Sequence, residues 1–245
     1  MVISGVTNLM AGATQVVRAY AGSTEVWSHI VYTYLTYEYN DSSNPMVPNV
    51  SSGFGANIIQ DQYLGGGVWR YTFDGVVTKI PAQAFSGNTD LIEFDVPNTV
   101  GSISSQVFSG CTSLNKFIMP DSVVSLGTSS FRHCYSLEKF VFSSGVTLVP
   151  AYSFTDDSAL TSVTLNLVMT DIKQAAFRDC TALPAITLPA TLTNIEKDAF
   201  LRCQSLSNIT FLGTKSQWGS VTKGTDWASG VSASVVHCSD GDIAI

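Results

Sequence analysis

The middle of the chain repeats every 23 residues, and this period constrains the fold more than any other feature of the sequence. Phenylalanine marks the period at Phe85, Phe108, Phe131, Phe154, Phe177 and Phe200. A leucine follows six residues after each of them, at Leu91, Leu114, Leu137, Leu160, Leu183 and Leu206. A fixed period in this range is typical of stacked units, none of which can bury its apolar face alone. The sequence therefore predicts a solenoid of six repeats.

Each unit also carries the two-residue alternation of a β-strand. The residues nine and eleven positions after each phenylalanine are apolar, as in Phe117 and Met119 of one unit. The residue between them should face outward, and this outward column reads Asp95, Ile118, Val141, Thr164, Thr187 and Thr210. Parallel strands lie about 4.8 Å apart, so six stacked units give a core roughly 25–30 Å long. We therefore predict a β-rich solenoid with little helix.

The composition agrees with a β-rich chain and argues against two classes of partner. Charged residues make up 13% of the 245 residues, and there are 19 glycines. The formal net charge is −7, which disfavours nucleic acid because its binding needs clustered lysine and arginine. No apolar stretch approaches the length of about 18 residues that a membrane helix needs, so no membrane insertion is expected. The first residues lack the basic region of a secretory signal.

Two stretches combine the phenylalanine, cysteine, leucine and proline positions of one motif: VFSGCTSLNKFIMPDSVVSLGTSSF and AFRDCTALPAITLPATLTNIEKDAF. This motif resembles the BspA-type leucine-rich repeat, a 23-residue class, over about residues 76–212. The resemblance implies a right-handed solenoid and a role in adhesion to host proteins or other cells. The unit at 143–166 departs most from the motif, because Ser143 and Asn166 replace proline and Asp157 replaces cysteine.

The segments outside the repeats resemble two further kinds of sequence. VVRAYAGSTEVWS is similar to a short segment of bacteriophage tail and other virion proteins, which implies a small β-hairpin. The tail FLGTKSQWGSVTKGTDWASGVSASVVHCSDGDI resembles the closing segment of the BspA-type family. An open solenoid end needs a cap of different chemistry. We therefore expect Trp218 and Trp227 to cover the last coil and Cys238 to be buried there.

The remaining patterns predict five parts of the chain. Residues 29–39 alternate like a strand, residues 40–57 are rich in Asn, Ser, Pro and Gly, and residues 67–73 read as a strand that caps the first coil. The predicted parts are a β module at 1–40, a linker or loop at 41–57, an N-terminal cap at 58–75, the solenoid at 76–212 and a C-terminal cap at 213–245. The tyrosines of the first part suit a sugar platform, a protein interface or half-buried packing: Tyr32, Tyr34, Tyr37 and Tyr39.

The cysteines are predicted to be buried free thiols rather than disulfides or metal ligands. Four of the five occupy one column of the repeat: Cys111, Cys134, Cys180 and Cys203. Neighbours in such a column lie about 4.8 Å apart, whereas the two Cβ atoms of a disulfide lie about 3.8 Å apart. Zinc needs four ligands around one point, and the column offers two neighbours at a time. No catalytic, phosphate-binding or calcium-binding motif is present, so we expect no metal, no cofactor and no enzymatic activity.

The candidate binding surface combines the outward strand column with a polar corner. Ile118 and Val141 would form a small exposed apolar patch, which favours a protein partner. The threonines beside them suit a flat ligand-binding face. Arg132, His133 and Arg178 follow the repeat phenylalanines, where they would form either a polar recognition edge or an ordinary solvated corner. The full candidate set is Ile118, Val141, Thr164, Thr187, Thr210, Arg132, His133 and Arg178.

Two functions are compatible with these patterns. The first is a non-enzymatic recognition, attachment or structural protein displayed on a bacteriophage virion. Residues 1–40 would dock onto other virion proteins, and the repeats would bind a protein or glycan on a cell surface. The alternative is a bacterial cell-surface adhesin of the BspA type. The expected location is accordingly the virion, the cell surface or the extracellular space, and the virion-like N-terminal segment favours the first function.

Overall fold

The computed structural model describes residues 10–11, 14–21, 24–39, 48–49 and 52–245. Side chains are described for residues 37–38, 48–49 and 52–245. The predicted roles of the Tyr32, Tyr34 and Tyr39 side chains, and most of the predicted linker at 41–57, therefore lie outside the described residues. The described part forms a β-solenoid of about seven turns with one short helix, which confirms the predicted fold class.

A first ladder of strands arises from the alternating segment that follows each repeat leucine. Parallel pairing keeps equivalent residues level, so that Phe94 lies beside Phe117 and Ile186 beside Ile209. Their side chains point into the core, while the residues between them point out. The strands of this ladder are β7 (Leu91–Asp95), β9 (Lys116–Ile118), β11 (Lys139–Val141), β13 (Ser162–Thr164), β15 (Ala185–Leu188), β17 (Asn208–Phe211) and, in the C-terminal cap, β19 (Val235–Cys238). They pair in three groups, β7 with β9, β11 with β13, and β15 with β17 and β19.

A second ladder consists of two-residue strands, one in each turn. The second residue of most of these strands is apolar and buried, as in Ile80, Ile103 and Ile172. Parallel pairing again places equivalent residues side by side, for example Ile80 with Ile103. The strands are β6 (Lys79–Ile80), β8 (Ser102–Ile103), β10 (Ser125–Leu126), β12 (Leu148–Val149), β14 (Asp171–Ile172), β16 (Asn194–Ile195) and β18 (Thr222–Lys223).

A turn segment forms the third side of each coil. Backbone hydrogen bonds join consecutive turn segments; the amide of Phe108, for example, donates to the carbonyl of Ser130 at 2.8 Å. Two backbone positions in each segment have a positive φ. The first column is Gln83, Gln106, Ser129, Tyr152, Ala175 and Asp198. The second column is Gly87, Gly110, His133, Asp156, Asp179 and Arg202.

The repeat phenylalanines form one continuous aromatic column in the core. All six are at most 1% exposed. Consecutive rings lie nearly parallel, with centroids 5.3–5.7 Å apart and interplanar angles of 2–18°. The rings of Phe94, Phe117 and Phe140 pack against this column edge-on or tilted, which is a favourable geometry for aromatic pairs. Each 23-residue repeat of the sequence therefore adds one aromatic layer to the core.

The predicted cysteine column lies beside the aromatic column. Cys111, Cys134, Cys180 and Cys203 are buried free thiols, as predicted. Each Sγ donates to the carbonyl of the phenylalanine one turn back, at 2.9–3.2 Å. Burial raises the pKa of Cys111 to about 12, so this thiol stays protonated and unreactive at neutral pH. The prediction for Cys238 was wrong: it is half-buried, because it lies in the terminal strand pair, where the described chain places no further coil over it.

An antiparallel sheet covers the N-terminal end of the solenoid. Strands β2 (Thr14–Ala21) and β3 (Thr24–Tyr39) form a hairpin, and β1 (Met10–Ala11) pairs with β2. The C-terminal half of β3 pairs with β7 on one edge and with β5 (Val68–Phe73) on the other. Strand β4 (Ile58–Gly65) pairs with the opposite edge of β5 and ends the sheet. Strand β3, rather than the segment at 67–73, is therefore the direct neighbour of the first coil.

The C-terminal cap contains the short helix α1 (Lys215–Ser220) and the antiparallel pair of β19 with β20 (Gly241–Ala244). Thr214 and Gln217 form a capping box at the helix start, which satisfies backbone amides that have no partner within the helix. Trp218 is buried against Phe211, with ring centroids 5.2 Å apart. Trp227 packs edge-on against Phe200 at 6.3 Å. Both tryptophans therefore cover the last coil, as predicted.

Candidate functional site

The outward positions of the first ladder contain the most exposed apolar side chains on any of its strands. Ile118 of β9 and Val141 of β11 are each 58% exposed. Each lies between inward-pointing residues of the same strand segment, because side chains alternate along a strand. Two β-branched apolar residues in consecutive turns thus form the apolar patch that the sequence predicted, which we call the strand-face patch.

Two shallow grooves adjoin residues of the strand-face patch. A groove of about 290 Å³ lies on the N-terminal side, where Ile118 meets Glu38, Val68 and the strand β7. A groove of about 410 Å³ lies beside Val141, and its walls come from the strands β9 and β11 and from the residues just before them. Ile118 therefore lines the first concave surface, and Val141 lines the second, which runs between the two strands that carry the patch. This relief suits a folded protein partner better than a single small molecule.

Charged side chains border the patch and give it a defined polarity. Glu93 and Lys116 form an ion pair between neighbouring strands, and their hydrogen bond raises the pKa of Lys116. Partial burial, together with the nearby Glu93 carboxylate, raises the pKa of Asp95. Lys139 occupies the position of Lys116 one turn further along and is exposed. The patch therefore has acidic residues on its N-terminal side and lysines beside it, an arrangement typical of an apolar centre with a charged rim.

The predicted threonines continue the same outward column toward the C-terminal end. Val141 pairs with Thr164, and Thr187 pairs with Thr210, in register across parallel strands. Thr164 and Thr187 are exposed and Thr210 is half-buried. None of the three lines either groove. The structure thus aligns the five predicted strand residues on one face, and only the first two belong to the patch.

The predicted corner residues lie on another side of the coil. Arg132, His133 and Arg178 are half-buried in the turn segments and line neither groove. His133 Nε2 lies 3.0 Å from Asp156 Oδ2 in the next turn. Arg178 Nε donates to Asp179 Oδ2 at 3.2 Å. The structure therefore does not bring these three residues together with Ile118 and Val141. The contact of His133 with Asp156 joins two turns, whereas the pair of Arg178 with Asp179 lies within one.

Apart from Ile118, no residue of the first groove was among the predicted site residues, and three of them come from outside the repeats. Tyr37, Glu38 and Val68 come from the N-terminal sheet, yet they line the same groove as Ile118. Their place follows from the pairing of β3 with β7, which sets Glu38 opposite Glu93. The strand-like alternation at 29–39 was visible in the sequence, but no repeat or motif indicated its partner.

Two features are absent from the residues that the structure describes. Among them, no group of three or more His, Cys, Asp and Glu side chains is placed to hold a metal ion. The helical part of the same residues contains nothing long and apolar enough to cross a membrane.

Three solved structures have similar folds. A leucine rich cell surface protein from Faecalibacterium prausnitzii is 37% identical over 53% of this chain and 34% of its own length, with a TM-score of 0.52. A leucine-rich repeat protein from Eubacterium ventriosum is 26% identical over 68% of this chain and 45% of its own, with a TM-score of 0.58. The T. pallidum leucine rich repeat protein is 26% identical over 60% of this chain and 67% of its own, with a TM-score of 0.55.

This chain thus spans from about a third to about two thirds of the length of these three proteins. No curated protein matches it. The family model described as the BspA type leucine rich repeat region matches residues 78–207 in six copies, which is more than half of the 245 residues. The six copies agree with the six phenylalanine-marked units and with the stacked turns of the solenoid. The chain therefore belongs to the BspA-type leucine-rich repeat family.

Proposed function

We propose that this protein is a non-enzymatic recognition protein displayed on a bacterial cell surface, where the strand-face patch binds a protein ligand. The observation that carries this proposal is the exposed pair Ile118 and Val141, each of which lines a groove. Contiguous exposed apolar residues with a polar rim are typical of protein interaction sites. The likeness to a leucine rich cell surface protein supports display at a cell surface. This is the adhesin-type function that the repeat family implies.

The proposal is tested with the double variant Ile118→Ser/Val141→Ser. The purified proteins are passed over immobilised mammalian matrix proteins and incubated with intact bacterial cells. Loss of both apolar side chains at the centre of the interface should weaken binding by more than about tenfold. The matched control is Thr187→Ser/Thr210→Ser, which removes two methyl groups from the same outward column outside the grooves.

Two outcomes would count against the proposal. Equal binding by the two double variants would show that the strand-face patch is not the recognition surface. Absence of binding by the unaltered protein to every matrix protein and cell tested would contradict a recognition role. Circular dichroism of each variant checks that the solenoid remains folded, and exposed substitutions of this kind are expected to leave it so.

A second candidate function is display on a bacteriophage particle. The observation that favours it is the antiparallel pairing of β2 with β3, in which Ala21 lies opposite Thr24, since the virion-like segment implies a hairpin. Residues 33–39 of β3 pair with β5 and β7, so a deletion that tests docking must leave them in place. Deletion of residues 1–31 should abolish co-sedimentation with tailed phage particles and preserve the binding tested above. Co-sedimentation that survives the deletion would remove the basis for this function.

A further inference from the structure

One interface between neighbouring coils lacks strand pairing in both ladders. It lies between the coil marked by Phe108 and the coil marked by Phe131, which are the second and third of the six. Among the described residues, β9 is not paired with β11, and β10 is not paired with β12. From the first coil to the sixth, every other pair of neighbouring coils is paired in at least one ladder. The strand pairing therefore divides the solenoid into two stretches at this interface.

A proline accounts for the gap in the second ladder. In most coils, the residue after the two-residue strand donates its amide hydrogen to the preceding coil. The amide of Gly127 donates to the carbonyl of Ile103 at 2.8 Å, and the amide of Lys173 donates to the carbonyl of Val149 at 2.9 Å. Pro150 occupies this position in the third coil, and proline has no amide hydrogen. The second and third coils therefore lack this bond.

The first ladder is open at the same interface, and a groove fills the opening. The groove of about 410 Å³ beside Val141 takes its walls from β9, β11 and the residues just before them. The rings of Phe117 and Phe140 stack across the interface, with centroids 5.8 Å apart. After β11, the amide of Ser143 donates to Met119 Sδ at 3.4 Å, and a thioether sulfur is a weak acceptor. The two strands thus meet through side chains rather than through a backbone ladder.

The third side of the same interface is closed by backbone hydrogen bonds. The turn segments of the two coils are joined as elsewhere in the solenoid, for example by the amide of Phe108 and the carbonyl of Ser130 at 2.8 Å. At the corner between the two ladders, the hydroxyl of Ser143 donates to the carbonyl of Val123. The turn side is therefore the most firmly bonded of the three sides.

We propose that this interface is a hinge, which arises from the strand pairing that is missing at Pro150 and between β9 and β11. The two stretches of the solenoid rotate about the line of the turn segments, because the bonded side acts as the axis and the two unpaired sides separate. The rotation widens and narrows the groove between β9 and β11. Packing of the aromatic column limits its extent, since an open gap costs contacts. A few residues at the ends of elements are enough to absorb such a motion.

The hinge itself does not rest on the proposed function, but its effect on binding does. Ile118 belongs to the second coil and Val141 to the third, so the two residues of the strand-face patch lie on opposite sides of the hinge. A rotation would change their separation. The hinge would therefore adjust the shape of the surface that the proposed protein ligand contacts.

The hinge is tested with two matched pairs of nitroxide labels in a Cys238→Ser background, where the four remaining cysteines are fully buried. Lys116→Cys/Ala185→Cys labels the second and fifth coils, and Lys139→Cys/Asn208→Cys labels the third and sixth. All four positions are exposed and belong to one column. Each pair spans three coil steps, or roughly 14 Å along the stack. Both pairs cross the interfaces from the third coil to the fifth, but only the first pair crosses the hinge.

Electron paramagnetic resonance measures the distribution of distances between the two labels. The pair that crosses the hinge should give a wider distribution than the other pair. Pro150→Ser restores an amide at the position of Ser104, whose own amide donates to the carbonyl of Ile80 at 3.0 Å. This variant should narrow the first distribution to the width of the second. Pro189→Ser is the matched control, because it makes the same change in the fifth coil, and it should alter neither distribution.

Three results would overturn the inference. The first is an equal width for the two label pairs in the unaltered background. The second is a wide first distribution that Pro150→Ser does not narrow, and the third is equal narrowing by Pro189→Ser. Circular dichroism checks that each variant is folded. The measurement uses no ligand, so the hinge and the binding tested with Ile118→Ser/Val141→Ser can fail independently.

Discussion

Asp157 occupies the column position that cysteine fills in four other turns, and it is fully buried. Its Oδ1 accepts the amide hydrogen of Cys134 at 2.8 Å. Among the described residues, Oδ2 has no hydrogen-bond partner. Desolvation raises the pKa of Asp157 well above its ordinary value, and the neighbouring Asp156 acts in the same direction. The carboxyl group is therefore protonated in the folded protein at a pH where an exposed aspartate is charged.

Replacement of Asp157 by cysteine should stabilise the protein at neutral pH and leave it nearly unchanged in acid. The folded pKa is raised, so the contribution of Asp157 is fully present below the unfolded pKa of about 4 and is lost as the pH rises. The free energy of unfolding should fall by up to about 1.4 kcal/mol per pH unit in this window. Urea unfolding at about pH 4 and about pH 7 measures the difference between Asp157→Cys and the unaltered protein.

The comparison variant for this prediction is Asp156→Asn, which removes the neighbouring carboxylate and should keep most of the pH dependence, because burial is the largest cause of the raised pKa of Asp157. Asparagine tolerates the positive φ of this position, so the backbone should keep its conformation. If Asp157→Cys and the unaltered protein respond to pH in parallel, the buried carboxyl group does not control stability, and the argument from its burial fails.

At the scale of the element, the sequence determines the strands well and the turns poorly. The alternation in segments such as LNKFIM predicted the first ladder, because each inward side chain is apolar. The positive-φ columns could not be read from the sequence, since Gln106, Tyr152 and Ala175 are not residue types that favour such backbone. Their backbone amides donate hydrogen bonds to carbonyls of the next coil, so the contact between coils determines this conformation and the residue type does not. The groove beside Ile118 was missed for a similar reason, because it depends on the long-range pairing of β3 with β7.

The tight contact between turns at Gly127 provides a test at this scale. A Cβ atom at Gly127 would lie 2.3 Å from the nitrogen of Ser105 in the preceding turn, and backbone atoms cannot yield as a flexible side chain can. Gly127→Ala should therefore lower the free energy of unfolding by about 1–3 kcal/mol. Denaturant unfolding of the purified variant measures this loss.

Gly219→Ala is the matched control, because nothing lies within 4 Å of the Cβ atom that it adds. Gly219 is in helix α1, where alanine is favoured over glycine by about 0.5–1 kcal/mol. The two substitutions should thus have opposite signs. Equal effects would mean that the spacing between turns is looser than the structure shows.

At the scale of the whole molecule, each turn contacts mainly its two neighbours. From the first repeat to the sixth, the Phe column, the cysteine column and the backbone ladders all repeat with the same step of 23 residues. The stability of such an array is approximately a sum of units and of the interfaces between neighbours. A coil at either end has a neighbouring coil on one side only. The N-terminal sheet covers the first coil, and the helix α1 covers the last. The sequence predicted that caps exist, but the register of the last turn is known only from the structure, in which the amide of Phe200 donates to the carbonyl of Trp227.

Removal of one complete unit should leave a shorter protein of the same architecture. Deletion of residues 178–200 joins Phe177 to Leu201 and preserves the phase of every column. This variant should fold cooperatively, with lower stability because one interface is lost, and should retain the binding properties of Ile118 and Val141. Deletion of residues 178–197 shifts the phase and should prevent folding of the C-terminal turns. Circular dichroism and thermal unfolding distinguish the two variants, and equal folding would mean that the 23-residue phase does not govern the stack.

The long strand β3 has a mechanical consequence. Its residues 33–38 are hydrogen-bonded to β5 on one edge, and its residues 36–39 to β7 on the other. The hydrogen bonds of antiparallel pairs run perpendicular to the strands. Tension transmitted along β3 from the hairpin would therefore load the bonds on both edges together, in shear, instead of opening them one after another. A tether attached at the hairpin would thus transmit its force through β3 directly to the strand ladder that carries the patch.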